Sequence, residues 1–125
     1  MSSRIMYVRN TETWQPIGCV AISAEHNKQR AEYQVSMLNP KDLNGQRFDR
    51  KQARLLAMER LVNNPITVRI PANATQHDIS MAVMKDIIGS KSHPSRARRF
   101  AKEWVREVEF WFDPNGDYDD HVDYN

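Results

Sequence analysis

The chain reads first as strands and later as helices. Ile5, Met6, Tyr7 and Val8 make Arg4 to Arg9 a strand, because these side chains suit a pleated surface. Thr11 to Pro16 reads as a turn region. Ile17 to Ser23 is apolar at consecutive positions (Ile17, Cys19 and Ala21 against Val20 and Ile22), which predicts a strand covered on both faces and therefore central. After a polar hairpin loop from Glu25 to Arg30, residues 31 to 38 alternate cleanly. Ala31, Tyr33, Val35 and Met37 share one face, and Glu32, Gln34 and Ser36 the other. Connections this short favour an antiparallel meander.

Asn-Pro and Asn-Gly between Asn39 and Gln46 mark a loop. The period then changes. Asp49 is placed to cap a helix that runs to about Asn63, with Ala53, Leu56, Ala57 and Leu61 on its buried stripe and Pro65 beyond its end. Ile66 to Ile70 is a short strand. Thr75 with Asp78 three residues on opens a second helix, lined by Ile79, Ala82, Val83 and Ile87, and Gly89 suits its C′ stop. The last helix opens near Pro94 and runs to about Phe112. It carries Ala97, Phe100, Ala101, Trp104, Val105, Val108, Trp111 and Phe112 at helical spacing, which predicts those aromatics as core. The expected fold class is α+β, order β-β-β-α-β-α-α. It is a three-stranded, mostly antiparallel sheet, plus one short strand, packed by three helices.

A chain of 125 residues with 40% hydrophobic side chains supports one domain with a core. We expect that domain in residues 1–112, followed by an acidic tail. No stretch approaches the ~18 apolar residues of a membrane span, and no apolar run near Met1 reads as a signal peptide. The single Cys19 excludes an intrachain disulfide and a cysteine-based zinc cluster, and its apolar strand predicts an inert core thiol. A cytoplasmic location follows as the expectation.

Charge changes the picture. Five aspartates, and no lysine or arginine, fall in residues 113–125, so residues 1–112 hold all 18 basic side chains against 11 acidic ones, a net +7. A basic body with a short acidic tail points to nucleic acid, although such a tail also serves simply to solubilise a terminus. Arg47, Arg50, Lys51 and Arg54 surround the first helix start, where the macrodipole favours acids. A phosphate would reverse that sign by meeting backbone N–H groups, dipole and cations together. Asp49 and Glu59 equally suit a balanced, solvated face. A second group, Arg96, Arg98, Arg99, Lys102 and Arg106, lies on the last helix, where Arg99–Glu103 has i,i+4 spacing.

Enzyme signatures are missing. His26, His77, His93 and His121 are scattered, and no Cys-x-x-Cys, His-Glu-x-x-His, Gly-x-Ser-x-Gly or glycine-rich phosphate loop occurs. Asp113-Pro-Asn-Gly-Asp-Tyr-Asp spaces oxygens as a calcium loop does. However, Tyr118 stands where the turn needs Gly, and Tyr124 where a bidentate Glu is required. No cofactor and no metal are expected. Trp14, in a turn, suits stacking on a base, anchoring a protein partner, or folding back over the sheet. Phe110 falls off the apolar stripe of its helix and suits an exposed contact.

The run from Asn44 to Ala57, Asn-Gly-Gln-Arg-Phe-Asp-Arg-Lys-Gln-Ala-Arg-Leu-Leu-Ala, resembles the closing segment of double-stranded-RNA-binding domains, and the resemblance extends over about residues 17–62. In that family a loop after a three-stranded sheet leads into a Ser-Lys-Lys-x-Ala-Lys-x-x-Ala helix. The resemblance implies that Asp49 takes the capping position, that Arg50, Lys51 and Arg54 meet phosphates, and that Ala53 and Ala57 are the small buried residues. The family's first helix has no counterpart, since residues 1–9 read as a strand, so only the phosphate-binding helix start carries over. Tyr-Gln-Val-Ser-Met-Leu-Asn-Pro and the Phe-Asp-Arg helix start are similar to small bacteriophage proteins. That similarity implies a bacterial host cytoplasm as the setting and no particular activity.

Two functions are therefore expected. The first is a non-enzymatic nucleic-acid-binding accessory protein using Arg47, Arg50, Lys51 and Arg54, assisted by Arg98, Arg99 and Lys102. The second is a protein-interaction module, such as a modulator of a host nucleic-acid enzyme. It would use Trp14, Phe110 and the tail residues Asp117, Asp119 and Asp120 as aromatic anchors and phosphate mimic.

Overall fold

A computed structural model of the chain describes residues 2–25, 28–37 and 49–111. Four strands and three helices follow one another as β1 (Ser2–Arg9), β2 (Pro16–Glu25), β3 (Arg30–Met37), α1 (Arg50–Asn63), β4 (Ile66–Arg69), α2 (Gln76–Gly89) and α3 (Ser95–Trp111). The class is α+β as expected. The short strand is a full member of a four-stranded antiparallel sheet ordered β1-β2-β3-β4.

The register sorts side chains to two faces. Met6 pairs with Val20 and Val20 with Val35, while Ile22 pairs with Tyr33 and Tyr33 with Ile66. These residues face α2 and α3 and join Ile79, Val83, Met84, Ile87, Ala97, Phe100, Ala101 and Val105 in the main core. On the reverse face Cys19 and Ala21 meet Ala53, Ala57 and Leu61 of α1, with Ile5 and Tyr7 partly buried beside them. The sheet is thus covered on both faces, α1 on one and α2 with α3 on the other. That accounts for the apolar residues at consecutive positions of β2, which has cover on either side.

Two features set the packing locally. Gly18 is buried where β2 crosses Met37. A Cβ there would stand 2.6 Å from both the Met37 sulfur and the Ser36 carbonyl oxygen, so the strands need glycine to approach. At the opposite end of the chain's logic, α2 is fixed by a reciprocal cap. The Thr75 hydroxyl accepts from the Asp78 N–H at 3.1 Å, and the Asp78 carboxylate accepts from the Thr75 N–H at 2.9 Å. The end of α2 differs from expectation. Gly89 is its last helical residue and Ser90, in extended backbone, is the C-cap, so Gly89 is not a left-handed stop.

The stripe of α1 is narrower than its sequence suggests. Ala53, Ala57 and Leu61 are buried, Leu56 is half-buried, and Leu55, Met58 and Val62 are exposed. The loop before α1 and the segment from Phe112 onward lie outside the described residues.

Candidate nucleic-acid interface

The α1 start is built by Asp49, whose carboxylate accepts from the N–H groups of Lys51 at 3.0 Å and Gln52 at 3.2 Å. This narrows the expectation that a phosphate would meet free amides there. Asp49 already holds two of them, so cationic side chains are the main groups left to bind a phosphate. Arg50, Lys51 and Arg54 are all exposed, and no carboxylate among the described residues forms an ion pair with them. The Arg50 guanidinium lies 5.3 Å from the centre of the Tyr7 ring, a cation–π contact that ties α1 to β1. Beneath this turn Cys19 is fully buried. Burial pushes its thiol up to about 11, against a smaller opposing pull from Arg54, so it stays protonated. Arg47 lies outside the described residues.

The second basic group divides around α3. Arg99 turns toward the β1–β2 connection, where it lines a recess of about 250 Å³ together with Arg9, Asn10, Thr11, Glu12, Ile17 and Arg96. Arg98 is half-buried on another side, with its Nε buried and unpartnered and its charge acting on His93. Lys102 is exposed. Glu103 reaches Arg106 at 3.8 Å, not Arg99, and Glu109 reaches Lys85 at 3.5 Å. The i,i+4 pairing expected of Arg99 is therefore not formed.

The sheet separates the two groups, since α1 and α3 cover opposite faces. Both nevertheless border the same end of edge strand β1, through Tyr7 on one side and Arg9 on the other.

Next to the arginine recess lies a second one of about 460 Å³, lined by Arg4, Met6, Arg9, Trp14, Phe100 and Trp104. Sequence periodicity places Trp104 in the core; the structure leaves it half-buried at this rim, its ring 6.3 Å from that of His77. Trp14 leans on Phe100 with ring centres 6.1 Å apart and is 48% exposed. It folds back over the sheet layer and still shows half its surface. Its backbone sits at φ 63, a left-handed conformation that costs a non-glycine residue about 1–2 kcal/mol. The surrounding turn maintains it. Asn10 Oδ1 accepts from the N–H groups of Glu12 at 2.8 Å and Thr13 at 3.2 Å, the Asn10 carbonyl accepts from Trp14 N–H at 2.7 Å, and Arg9 donates to the Trp14 carbonyl at 3.0 Å. Arg4 donates to Ser80 at 2.7 Å, locking β1 to α2. The remaining expected contacts, the Phe110 side chain and Asp117, Asp119 and Asp120, lie outside the described residues.

One polar cluster went unread in the sequence. The fully buried Tyr33 hydroxyl donates to Asp86 at 2.6 Å, and the His93 Nε2 stands 2.8 Å from the same oxygen. With its one proton given to Asp86, Tyr33 accepts from His93, which makes His93 the Nε2–H tautomer. Burial, reinforced by Asp86, pushes the Tyr33 phenol far above its ordinary value. Burial also lowers the His93 pKa, against the attraction of Asp86 and with help from Arg98. A phenol that is sealed off and protonated offers no nucleophile, so the cluster acts as a polar staple between β3, α2 and the turn before α3. Among the described residues no group of three His, Cys, Asp or Glu is placed to hold a metal, and no helix is long and apolar enough to cross a membrane.

Comparison of the chain with protein-family models, curated proteins and solved structures finds no match.

Proposed function

We propose that this protein is a non-enzymatic nucleic-acid-binding accessory protein that holds phosphates at the β1 edge of its sheet. The observation that carries the reading is the exposed trio Arg50, Lys51 and Arg54, unneutralised by any described carboxylate, at a helix start where stability alone would place acids. Arg9, Arg96 and Arg99 support it from the far side of the same strand. The resemblance to double-stranded-RNA-binding domains points the same way. The acidic tail then lowers non-specific binding by competing for these cations, or contacts a protein partner.

The test is a binding titration of single strands and duplexes of RNA and DNA at several salt concentrations. Four to six phosphate contacts predict a log–log salt slope of about −3 to −5, a loss of roughly 60- to 1,000-fold in affinity between 50 and 200 mM salt. The triple variant Arg50→Ala, Lys51→Ala, Arg54→Ala is expected to lose most affinity while keeping its circular dichroism. Binding that ignores salt, or no binding at low salt, removes the reading.

A second reading, a protein-interaction module, draws on the exposed stripe Leu55, Met58 and Val62 of α1. Deletion of residues 117–125 separates the two. It tightens nucleic-acid binding under the first reading and abolishes capture of a protein partner through the tail under the second.

A further inference from the structure

We infer that the recess between β1 and α3 is a subsite for one unpaired nucleobase, its flanking phosphate held by Arg9, Arg96 and Arg99. This rests on the nucleic-acid reading and narrows it from polyanion binding in general to recognition of a single strand. Two adjoining hollows share one residue, Arg9. One is lined with the rings of Trp14, Phe100 and Trp104 beside Arg4, and the other with three guanidinium groups against the single carboxylate of Glu12. A nucleotide has the same two halves: a flat, apolar base and a dianionic or monoanionic phosphate a few ångströms away. Trp14 supplies the exposed ring, which leans on Phe100, and Trp104 lines the same recess.

A non-glycine residue with its backbone at φ 63 is an unfavourable choice for a turn. The asparagine-centred hydrogen bonds maintain the conformation, and Arg9 contributes to it by donating to the Trp14 carbonyl. The stacking ring and the phosphate-binding arginine are thereby fixed relative to each other before any ligand arrives, which lowers the ordering cost of binding. Base pairs in a duplex keep their faces stacked on one another, so only an unpaired base can enter. The subsite is expected to be largely indifferent to base identity, because every base presents a π-face to stack on.

The experiment titrates the full chain with a fluorescein-labelled twelve-residue oligo-dT or oligo-U and with the matching duplexes, following both anisotropy and intrinsic tryptophan emission. The single strands are expected to bind more tightly than the duplexes and to quench tryptophan emission. Trp14→Ala should weaken single-strand binding roughly 5- to 100-fold and remove much of the quench, with duplex binding unchanged and Trp14→Phe restoring most of the loss. Arg99→Gln, an exposed change on α3, should reduce the magnitude of the single-strand salt slope by about one. Trp14→Ala binding single strands as tightly as the native chain overturns the subsite. So does emission that stays unchanged at saturating oligonucleotide, which would hand the recess to another occupant such as a peptide strand added to the β1 edge. If single strand and duplex bind alike and only the Arg50/Lys51/Arg54 variant loses affinity, the subsite falls and the wider reading stands. If no oligonucleotide binds at 20 mM salt, both fall.

Discussion

The two faces of the sheet are packed on different scales. Under α2 and α3, large side chains interlock: Ile22, Tyr33, Met84 and Ile87 are all at most 2% exposed. Under α1 the buried contact is made by Cys19, Ala21, Ala53, Ala57 and Leu61, with the larger Ile5 and Tyr7 only partly buried beside them. Small residues let helix and sheet come close, but they remove little apolar area from water, and area sets the hydrophobic gain. The α1 helix meanwhile leaves Leu55, Met58 and Val62 in solvent. One face is therefore the anchor of the fold and the other a light cover. The cations of α1 ride on the light cover, whereas Trp14 and the Arg9–Arg99 recess are built against the anchor.

The largest expected effect tests that contrast directly. Met84→Ala should cost about 2–5 kcal/mol and weaken the whole domain, since it opens a cavity in the interlocked layer. Leu61→Ala should cost about 2 kcal/mol, the low end of the range, because a helix lying on alanines can settle into the gap. Hydrogen exchange reads the two layers separately. Amides of α1 should exchange at lower free energy than those of α2, and Leu61→Ala should widen the difference. Equal protection of the two helices would mean that both layers open as one unit, and the contrast would break.

This difference also explains what the sequence made readable. Period-two alternation in β3 and helical spacing in α3 are strong because each meets the thick layer, where large apolar residues mark the inner face. The α1 stripe was harder to read. Its inner face is alanine, and Leu55, Met58 and Val62 on the outside compete with it as an apolar stripe, so Leu56 was expected inside and is half-buried. The cluster of Arg50, Lys51 and Arg54 was legible because it is contiguous. The meeting of Arg9 with Arg96 and Arg99 was not, since strand pairing and helix docking bring distant segments together and no local pattern encodes that. Trp104 does pack against the main core, but only half-buried, because helical spacing tells which stripe a residue occupies and not how deeply it is covered. Tyr33 did carry a signal. A tyrosine on the inward face of a strand needs a partner for its hydroxyl, but the sequence does not say that His93 and Asp86 provide it.

The next effect in size is a pH dependence seated in the thick layer. The folded state holds His93 below its ordinary pKa of 6.5, mainly through burial. The unfolded chain then binds the proton more readily, so His93 supports the fold fully above about pH 6.5 and progressively less as pH falls toward its folded value. Glu25 and Asp78 are also lowered, from ordinary values that already lie in acid solution. The Lys28 hydrogen bond holds Glu25 below 4.5, and the Thr75 N–H holds Asp78 below 3.8, so their losses come in more acid solution. Urea midpoints at pH 7.5 and 5.0 should therefore fall in the native chain and fall less in His93→Gln. A variant with the native pH dependence would show that the staple of Tyr33, Asp86 and His93 does not sense pH.

The smallest effect concerns how the anchor layer ends. The sequence suggests that Gly89 is a left-handed stop, whereas in the fold it is the last helical residue of α2 and a Cβ added there meets nothing within 4 Å. Its φ lies outside the left-handed region, so glycine contributes only backbone entropy to the unfolded chain. Gly89→Ala should therefore stabilise the domain by roughly 0.5–1 kcal/mol, because alanine gives up less freedom on entering the helix. Thermal unfolding reads this as a rise of a few degrees. The sign is what decides. A positive shift places the boundary of α2 at Ser90, and a loss means that Gly89 turns left-handed in solution, with the last turn of α2 frayed. In that case even the thick layer would taper at its edge, next to the turn that delivers His93 to Tyr33.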